Sequence, residues 1–211
     1  LTKSLNLVSV RILQGIGPAY ARDYIRRFGF DPARHPPYLT MALGAGSVTP
    51  LQLASAYGVF ANGGFGVKPY LIEKVTDKDG RILMQSAPQI VGTNAPRVID
   101  ARNAWLMTNM MQDVVRYGTA ARASQLGRSD IAGKTGTTND ARDTWFAGYT
   151  PDLVAISWMG YDQPRSLGHG ETGAQSALPI WINFMGSALK AIPQGSWPMP
   201  PGIIKIGRAH V

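Results

Sequence analysis

The sequence contains no cysteine, few histidines and no long apolar run, and each of these absences excludes a kind of site or segment. Without cysteine there can be no disulfide, no thiolate nucleophile and no cysteine-based zinc site. The three histidines, His35, His169 and His210, stand in unrelated contexts, so no metal site is predicted. No apolar run reaches the roughly eighteen residues of a membrane span, and no export leader opens the chain. Because the first residue is Leu1 rather than Met, we expect the natural start to lie upstream.

What is present is the composition of a folded, basic protein. The chain has 211 residues, of which 45% are hydrophobic and 16% charged, which is typical of one large domain or part of one. The net charge of +8 favours an anionic neighbour. The basic residues are spread along the chain, with Arg26 and Arg27 the only adjacent pair, so the sequence predicts no nucleic-acid partner.

The last residues differ in character from the rest. Residues 206–211 read IGRAHV, which resembles a translated sequencing adapter, and we interpret them as a non-native scar. The predicted organisation is one partial domain over residues 1–202, followed by a tail over residues 203–211.

Periodicity and turn residues predict an α+β chain: a helical half, a hairpin, and an antiparallel sheet closed by a helix. Helices are predicted over residues 5–13, 18–28, 49–61, 100–118 and 177–189. Strands are predicted over 67–75 and 81–84, which form the hairpin, and over 131–138, 144–150 and 153–160. The core is expected to receive one apolar stripe from each of the last two helices and three tryptophans. These residues are Leu106, Met110, Val114, Ile180, Phe184, Leu189, Trp145, Trp158 and Trp181.

The strongest local signal is the string Lys134-Thr135-Gly136-Thr137-Thr138 on the first strand of the sheet. Such a string should arise by chance in roughly one chain in two hundred of this length. On an edge strand, Lys134 is flanked by hydroxyls, and Gly136 lets a ligand approach the backbone. This pattern suits a peptide substrate that ends in a carboxylate. The alternative is an ordinary strand near a turn that happens to contain a lysine.

A second candidate is Ser4-Leu5-Asn6, which precedes the lysine string by 130 residues. Alone it is weak, since about one Ser-x-Asn match per two chains is expected by chance, and Ser4 could simply cap a helix. The order of the two strings adds weight, because β-lactamases and penicillin-binding proteins carry Ser-x-Asn-type and Lys-Thr-Gly motifs in this order.

The resemblance extends beyond the two motifs. Segments 4–17, 43–66, 133–162 and 179–193 are similar to the transpeptidase domain of bifunctional, class A penicillin-binding proteins, above all the Gram-negative 1A type. The most specific part is 133–139 followed by 145–149. The resemblance implies the penicillin-binding, β-lactamase-like α+β fold, with an antiparallel sheet flanked by helices, an all-helical subdomain, and the N-terminal part missing.

The resemblance also implies a role for each motif residue. A serine would attack the D-Ala-D-Ala end of a peptidoglycan stem peptide, and a second stem peptide would resolve the acyl-enzyme. Ser4 would carry a proton to the leaving D-Ala, Asn6 would hold the donor peptide, and Lys134 would anchor the terminal carboxylate. The hydroxyls of Thr135 and Thr137 would bind that carboxylate, and the amide of Thr137 would form half of the oxyanion hole.

The candidate site therefore consists of two groups of residues. The catalytic candidates are Ser4, Asn6 and Lys134, and the substrate-binding candidates are Thr135, Gly136, Thr137 and Thr138. No cofactor or metal is implied, and β-lactams would bind as mimics of the same peptide. The parent protein would also contain a membrane anchor and a glycosyltransferase domain, and would lie on the periplasmic face of the bacterial inner membrane.

The nucleophile is not found where the resemblance expects it. In the family Ser-x-x-Lys precedes Ser-x-Asn, but the only such string here is Ser187-Ala188-Leu189-Lys190, where we interpret Lys190 as a helix-terminal residue facing water. The fragment is therefore predicted to be inactive alone. It is also predicted to aggregate, because an apolar sheet edge and face stay uncovered.

Two other classes of protein are alternatives. A non-catalytic sensor or scaffold that binds penicillin or stem peptides would carry the same strand but no upstream Ser-x-x-Lys. A P-loop NTPase is the more remote alternative, since Gly127 and Gly133-Lys134-Thr135 approach that motif. Five residues separate those glycines where the motif has four, and Gly136 follows where a helix should begin.

Overall fold

The computed structural model describes residues 1–204 and Ile206, so the predicted scar lies, apart from Ile206, outside the described residues. The helices are α1 (Asn6–Ile16), α2 (Pro18–Ile25), α3 (Pro50–Ala61), α4 (Ala101–Tyr117) and α5 (Leu178–Ala188), with a π-helical turn (Gly173–Ala177) leading into α5. The strands are β1 (Lys74–Thr76), β2 (Ile82–Gln85), β3 (Ala132–Thr137), β4 (Asp143–Tyr149) and β5 (Val154–Gly160). The predicted order of helices, hairpin and sheet is confirmed.

The strands form two antiparallel sheets. β1 and β2 make the hairpin, and β3, β4 and β5 make a sheet in that order, so β3 and β5 are its edges within the described chain. Lys134 lies opposite Ala147, and Gly136 lies opposite Trp145. Because side chains alternate along a strand, these four residues share one face, which we call the lysine face.

Both faces of the sheet are packed, by different helices. The face opposite the lysine face carries the larger core, in which the rings of Phe146 and Trp181 meet edge to face with centroids 5.0 Å apart. At the other side, the start of β3 packs on α3 and α4 through Ala132, Tyr149 and Met111. The rest of the lysine face, from Lys134 to the end of β3, is left free for a cavity.

Local signals explain where two helices begin. Thr49 accepts a hydrogen bond from the amide of Gln52, whose side chain in turn accepts one from the amide of Thr49, and Pro50 occupies the first turn of α3. The side chain of Asp100 accepts a hydrogen bond from the amide of Arg102 at the start of α4. These caps are why the starts of both helices could be predicted closely.

The predicted apolar stripes of α4 and α5 are right at one residue each and wrong at the others. Val114 and Leu189 are buried, but Leu106 and Met110 are 49% and 42% exposed, and Ile180 and Phe184 are exposed as well. The residues that α4 buries are Ala104, Thr108, Met111, Val114 and Val115, and those that α5 buries are Leu178, Trp181, Ile182 and Met185. Both helices carry apolar residues on more than one side, so periodicity alone does not reveal which side faces the sheet.

A buried ion pair ties the C-terminal segment to the sheet. Arg128 and Asp130, just before β3, lie 2.7 Å apart, with the carboxylate almost fully buried. Asp130 also accepts a hydrogen bond from the amide of Gly195, and Arg128 donates to the carbonyl of Ile192. Because each charge is paired and hydrogen-bonded, the pair fixes the point from which β3 starts.

In the part of the chain that the structure describes, no helix is both long and apolar enough to cross a membrane.

Candidate active site

Ser4 of the first sequence motif and Lys134 of the second are in contact. The ammonium of Lys134 donates a hydrogen bond to the hydroxyl of Ser4 and another, 2.8 Å long, to the carbonyl of Thr135. Burial lowers the pKa of Lys134 from its ordinary value, because a desolvated ammonium is less stable than a hydrated one. An anionic ligand would therefore stabilise the charged form of this lysine more than it would stabilise that of an exposed lysine.

Ser4 is held in an uncommon backbone conformation. Its φ is 51°, in the left-handed region that side chains other than glycine rarely adopt. Its amide donates to the carbonyl of Leu1, which closes a turn immediately before α1. This turn directs the hydroxyl of Ser4 towards β3, and such strain is typical of functional positions.

Asn6, the third catalytic candidate, begins α1 and is exposed. Among the described residues its side chain makes no hydrogen bond. The structure therefore brings Ser4 and Lys134 together, and it shows no hydrogen bond from Asn6 to either of them.

Thr135 and Thr137 alternate with Lys134 along β3, and the hydroxyl of each has a partner. The hydroxyls of Thr135 and Thr119 lie 2.7 Å apart, and either could be the donor. The hydroxyl of Thr137 accepts a hydrogen bond from the amide of Gly173 at 3.0 Å. A hydroxyl that accepts in this way keeps its own proton for a further acceptor, so Thr137 is an oriented donor at the edge of the sheet.

Thr138 closes the turn after β3. Its hydroxyl accepts a hydrogen bond from the amide of Asp143 at 2.8 Å, and its own amide donates to the carbonyl of that residue. Asp140 and Ala141, inside the turn, both have positive φ. Thr138 thus has a structural role in the turn, in addition to the substrate-binding role that the sequence predicts for it.

A cavity of about 660 Å³ opens beside Lys134. One wall is the lysine face of the sheet, with Gly136, Trp145 and Trp158, and the other is the segment 44–50 with Tyr57 from α3. Burial raises the pKa of Tyr57 to about 12, so its phenol is neutral over the physiological range. The cavity is large enough for a small ligand and joins apolar walls to a few polar groups at Lys134.

The prediction that all three tryptophans lie in the core is wrong for two of them. Trp181 is buried, whereas Trp158 is 37% exposed and lines the cavity with Trp145. The indole of Trp158 donates to the carboxylate of Asp143 at 2.8 Å, which holds the ring across the end of β4. The string from Ser187 to Lys190 does not line this cavity: its serine is exposed near the end of α5, on the other side of the sheet.

Sequence reasoning missed Gly118 and Thr119, which join the motif segments. The amide of Thr119 donates to the carbonyl of Thr2, and its hydroxyl contacts Thr135. At Gly118 a methyl group would lie 2.4 Å from the carbonyl oxygen of Thr2. No local signal marks these contacts, because the glycine resembles an ordinary helix terminator in sequence.

Comparison with protein families gives one assignment. Residues 1–180 match the family described as "Penicillin binding protein transpeptidase domain". The chain is 53% identical over 204 residues to the penicillin-binding protein 1A of Neisseria lactamica, covering 97% of this chain and 26% of that relative. It is 42% identical over 251 aligned residues to the penicillin-binding protein 1A of Pseudomonas aeruginosa, covering 98% and 30%.

Solved structures show the same likeness. The chain is similar to the crystal structure of penicillin-binding protein 1A from Haemophilus influenzae with a TM-score of 0.91 and 35% identity, covering 95% of this chain and 35% of that one. It is also similar to the PonA1 protein from Mycobacterium tuberculosis in complex with penicillin V, with a TM-score of 0.71 and 25% identity, covering 91% and 58%. These likenesses confirm the expected α+β fold. The chain spans about a quarter of the length of its Neisseria lactamica relative.

Proposed function

The chain belongs to the transpeptidase family of penicillin-binding proteins, and from that membership we propose that it forms part of a peptidoglycan D,D-transpeptidase. The proposed reaction joins two stem peptides through a serine acyl-enzyme formed at a D-Ala-D-Ala end. The observation that carries the proposal is the contact between Lys134 on the edge strand β3 and the hydroxyl of Ser4.

The proposed binding mode uses the free edge of β3. A stem peptide lying along this edge would pair with strand amides, and its terminal carboxylate would reach the ammonium of Lys134 and the hydroxyls of Thr135 and Thr137. Gly136 would let the peptide lie close to the strand. β-Lactams, as mimics of the same peptide, would bind in the same way.

The proposed chemistry separates anchoring from proton transfer. Ser4 would pass a proton to the departing D-Ala amine, while Lys134 supplies positive potential nearby. Asn6 would hold the amide of the donor peptide, and the amide of Thr137 would stabilise the oxyanion. The residues 1–211 carry no Ser-x-x-Lys ahead of Ser4, so we propose that another segment supplies the nucleophile and that the chain alone does not acylate.

The wider assignments are also proposals. Residues 1–202 would form part of the transpeptidase domain, and residues 203–211 would be a tail. The parent would contain a membrane anchor and a glycosyltransferase domain and would act at the periplasmic face of the inner membrane. Penicillin and stem peptides are the proposed ligands, with no nucleic-acid partner.

The test uses a chimera, because the relatives are about four times longer than this chain. The 204-residue matching segment of the Neisseria lactamica protein is replaced by that of this chain, and the product is incubated with a fluorescent penicillin. We expect covalent labelling, and we expect Lys134→Ala to slow it by roughly two orders of magnitude, since a charge-assisted anchor is lost. Undiminished labelling of the variant would refute the proposed role of Lys134.

A further inference from the structure

Two contacts of Thr119 connect segments that are far apart in sequence. Through its amide it binds the carbonyl of Thr2, two residues before Ser4, at 3.3 Å. Through its hydroxyl it contacts the hydroxyl of Thr135, directly after Lys134, at 2.7 Å. One residue just beyond the end of α4 therefore touches both halves of the candidate active site.

The residues next to Thr119 hold the N-terminal segment closely against the end of α4, and we call this contact the tight junction. The side chain of Lys3 donates to the carbonyl of Tyr117 at 3.4 Å, so the N-terminal segment is held at a second point. A methyl group at Gly118 would lie 2.4 Å from the carbonyl oxygen of Thr2 and 2.8 Å from the carbonyl oxygen of Val114. The segment before Ser4 is thus pressed against the end of α4.

The contact between the hydroxyls of Thr119 and Thr135 also determines where the proton of Thr135 can go. When the hydroxyl of Thr119 donates to that of Thr135, the proton of Thr135 is left for a second acceptor. A ligand carboxylate at Lys134 would favour this arrangement, because it is an acceptor only. Hydrogen bonds in such a chain polarise and strengthen one another.

We propose that Thr119 is a positioning residue that acts through Thr135: it aims the Thr135 hydroxyl at the carboxylate of the ligand while its amide holds the Ser4 segment in place. The inference rests on the proposed function, since it concerns the same site. Thr119 itself does not contact the ligand.

The test compares ligands with and without the carboxylate. In the chimera, the second-order rate of acylation is measured with benzylpenicillin and with its methyl ester, for Thr119→Val and Thr119→Ser. Valine keeps the shape and the amide but removes the hydroxyl, so we expect the rate with benzylpenicillin to fall roughly three- to tenfold. The ester rate should stay unchanged, and serine should restore the rate with the acid.

A double-mutant comparison tests whether Thr119 affects the acylation rate through Thr135. If Thr119 acts through Thr135, adding Thr119→Val to Thr135→Val changes the acid rate no further. Equal losses for acid and ester would show a merely structural role and would overturn the inference, as would additive losses in the double variant. No effect of Thr119→Val on either ligand would overturn it as well.

The outcomes also separate this inference from the proposed function. If the unaltered chimera, correctly folded by circular dichroism, fails to react with benzylpenicillin, the proposed function fails and this inference with it. If the unaltered chimera reacts but Thr119→Val does not distinguish acid from ester, only the role of Thr119 is wrong.

Discussion

Lys134 lies among uncharged partners. Its ammonium contacts a hydroxyl, from Ser4, and a carbonyl, from Thr135, and none of the ion pairs in the described chain includes it. Since burial disfavours its charged form, an incoming carboxylate would relieve an unfavourable state as well as form an attractive contact. This is the electrostatic setting that an anion anchor requires.

The lowered pKa of Lys134 leads to a prediction about pH. If the protonated lysine anchors the carboxylate, the acylation rate of the chimera with benzylpenicillin should fall as pH rises. The midpoint should lie below 10.5, the ordinary lysine value, because the folded protein releases this proton more readily. The pH profile of the second-order rate constant measures that midpoint in the free protein.

Two controls test this assignment. The methyl ester should show no such alkaline loss, because it offers no carboxylate. Lys134→Arg should remove the loss for the acid too, since a guanidinium stays protonated throughout the range. An alkaline limb that persists in the arginine variant would show that a different group titrates.

At the scale of elements, the end of α4 is the part on which the site geometry depends. We expect Gly118→Ala to displace either this end or the segment carrying Ser4, because backbone atoms of Thr2 and Val114 occupy the space of the new methyl group. Overpacking of this kind costs roughly 1–3 kcal/mol in stability. Misplacing Ser4 by about 1 Å should lower the acylation rate up to roughly a hundredfold.

Gly15 provides a matched control for that substitution. It lies inside α1, where a methyl group added to it would have no atom within 4 Å, and its φ is ordinary for a helix. Gly15→Ala should therefore be neutral, or stabilise by roughly 0.5–1 kcal/mol, with an unchanged rate. Thermal melts and acylation rates of both variants measure the difference, and equal behaviour of the two alanines would contradict the tight junction at Gly118.

The starts of helices that carry capping residues could be predicted from the sequence. The side of each helix that faces the core could not. The capping residues Thr49 and Asp100 mark the starts of α3 and α4 closely. The stripe expected on α5 was wrong at Ile180 and Phe184, which are apolar but exposed, so the sequence offers two plausible inner faces. A face is chosen by tertiary packing, which periodicity does not encode.

Some contacts of the candidate site could likewise be predicted from the sequence, and others could not. Lys134 and Ser4 could be predicted to meet only through a family resemblance, since 130 residues separate them. Thr119 could not be found, because its partners lie 16 and 117 residues away and a threonine after a glycine has no distinctive pattern. Contacts of this range depend on the fold as a whole.

At the scale of the whole molecule, one side of the sheet is poorly covered. β5 is an open edge in the described chain, and beside it a cavity of about 450 Å³ is lined by Ile156, Trp158, Ile180 and Phe184, among others. Phe184 is 55% exposed. Open edges next to apolar surface favour association with other chains.

We therefore expect the chain, expressed alone, to associate as its concentration rises. Ile180→Lys and Phe184→Lys should reduce this association, because each places a charge on the apolar surface. Asn183→Lys, at an exposed polar position on the same helix, is the control and should have little effect. Light scattering over a concentration series measures the difference, and a soluble monomer with a cooperative melt would contradict the expectation.

The contact between Ser4 and Lys134 closes a loop of 130 residues, whereas β3 and β4 are joined by a short turn. Loop-closure entropy and contact order make the long-range contact the later one to form on folding. A partly folded chain could thus contain the lysine strand in its hairpin and still lack a complete pocket for the peptide. In the chimera, reactivity towards penicillin would then report finished folding, separating molecules with a complete pocket from those that have merely acquired secondary structure.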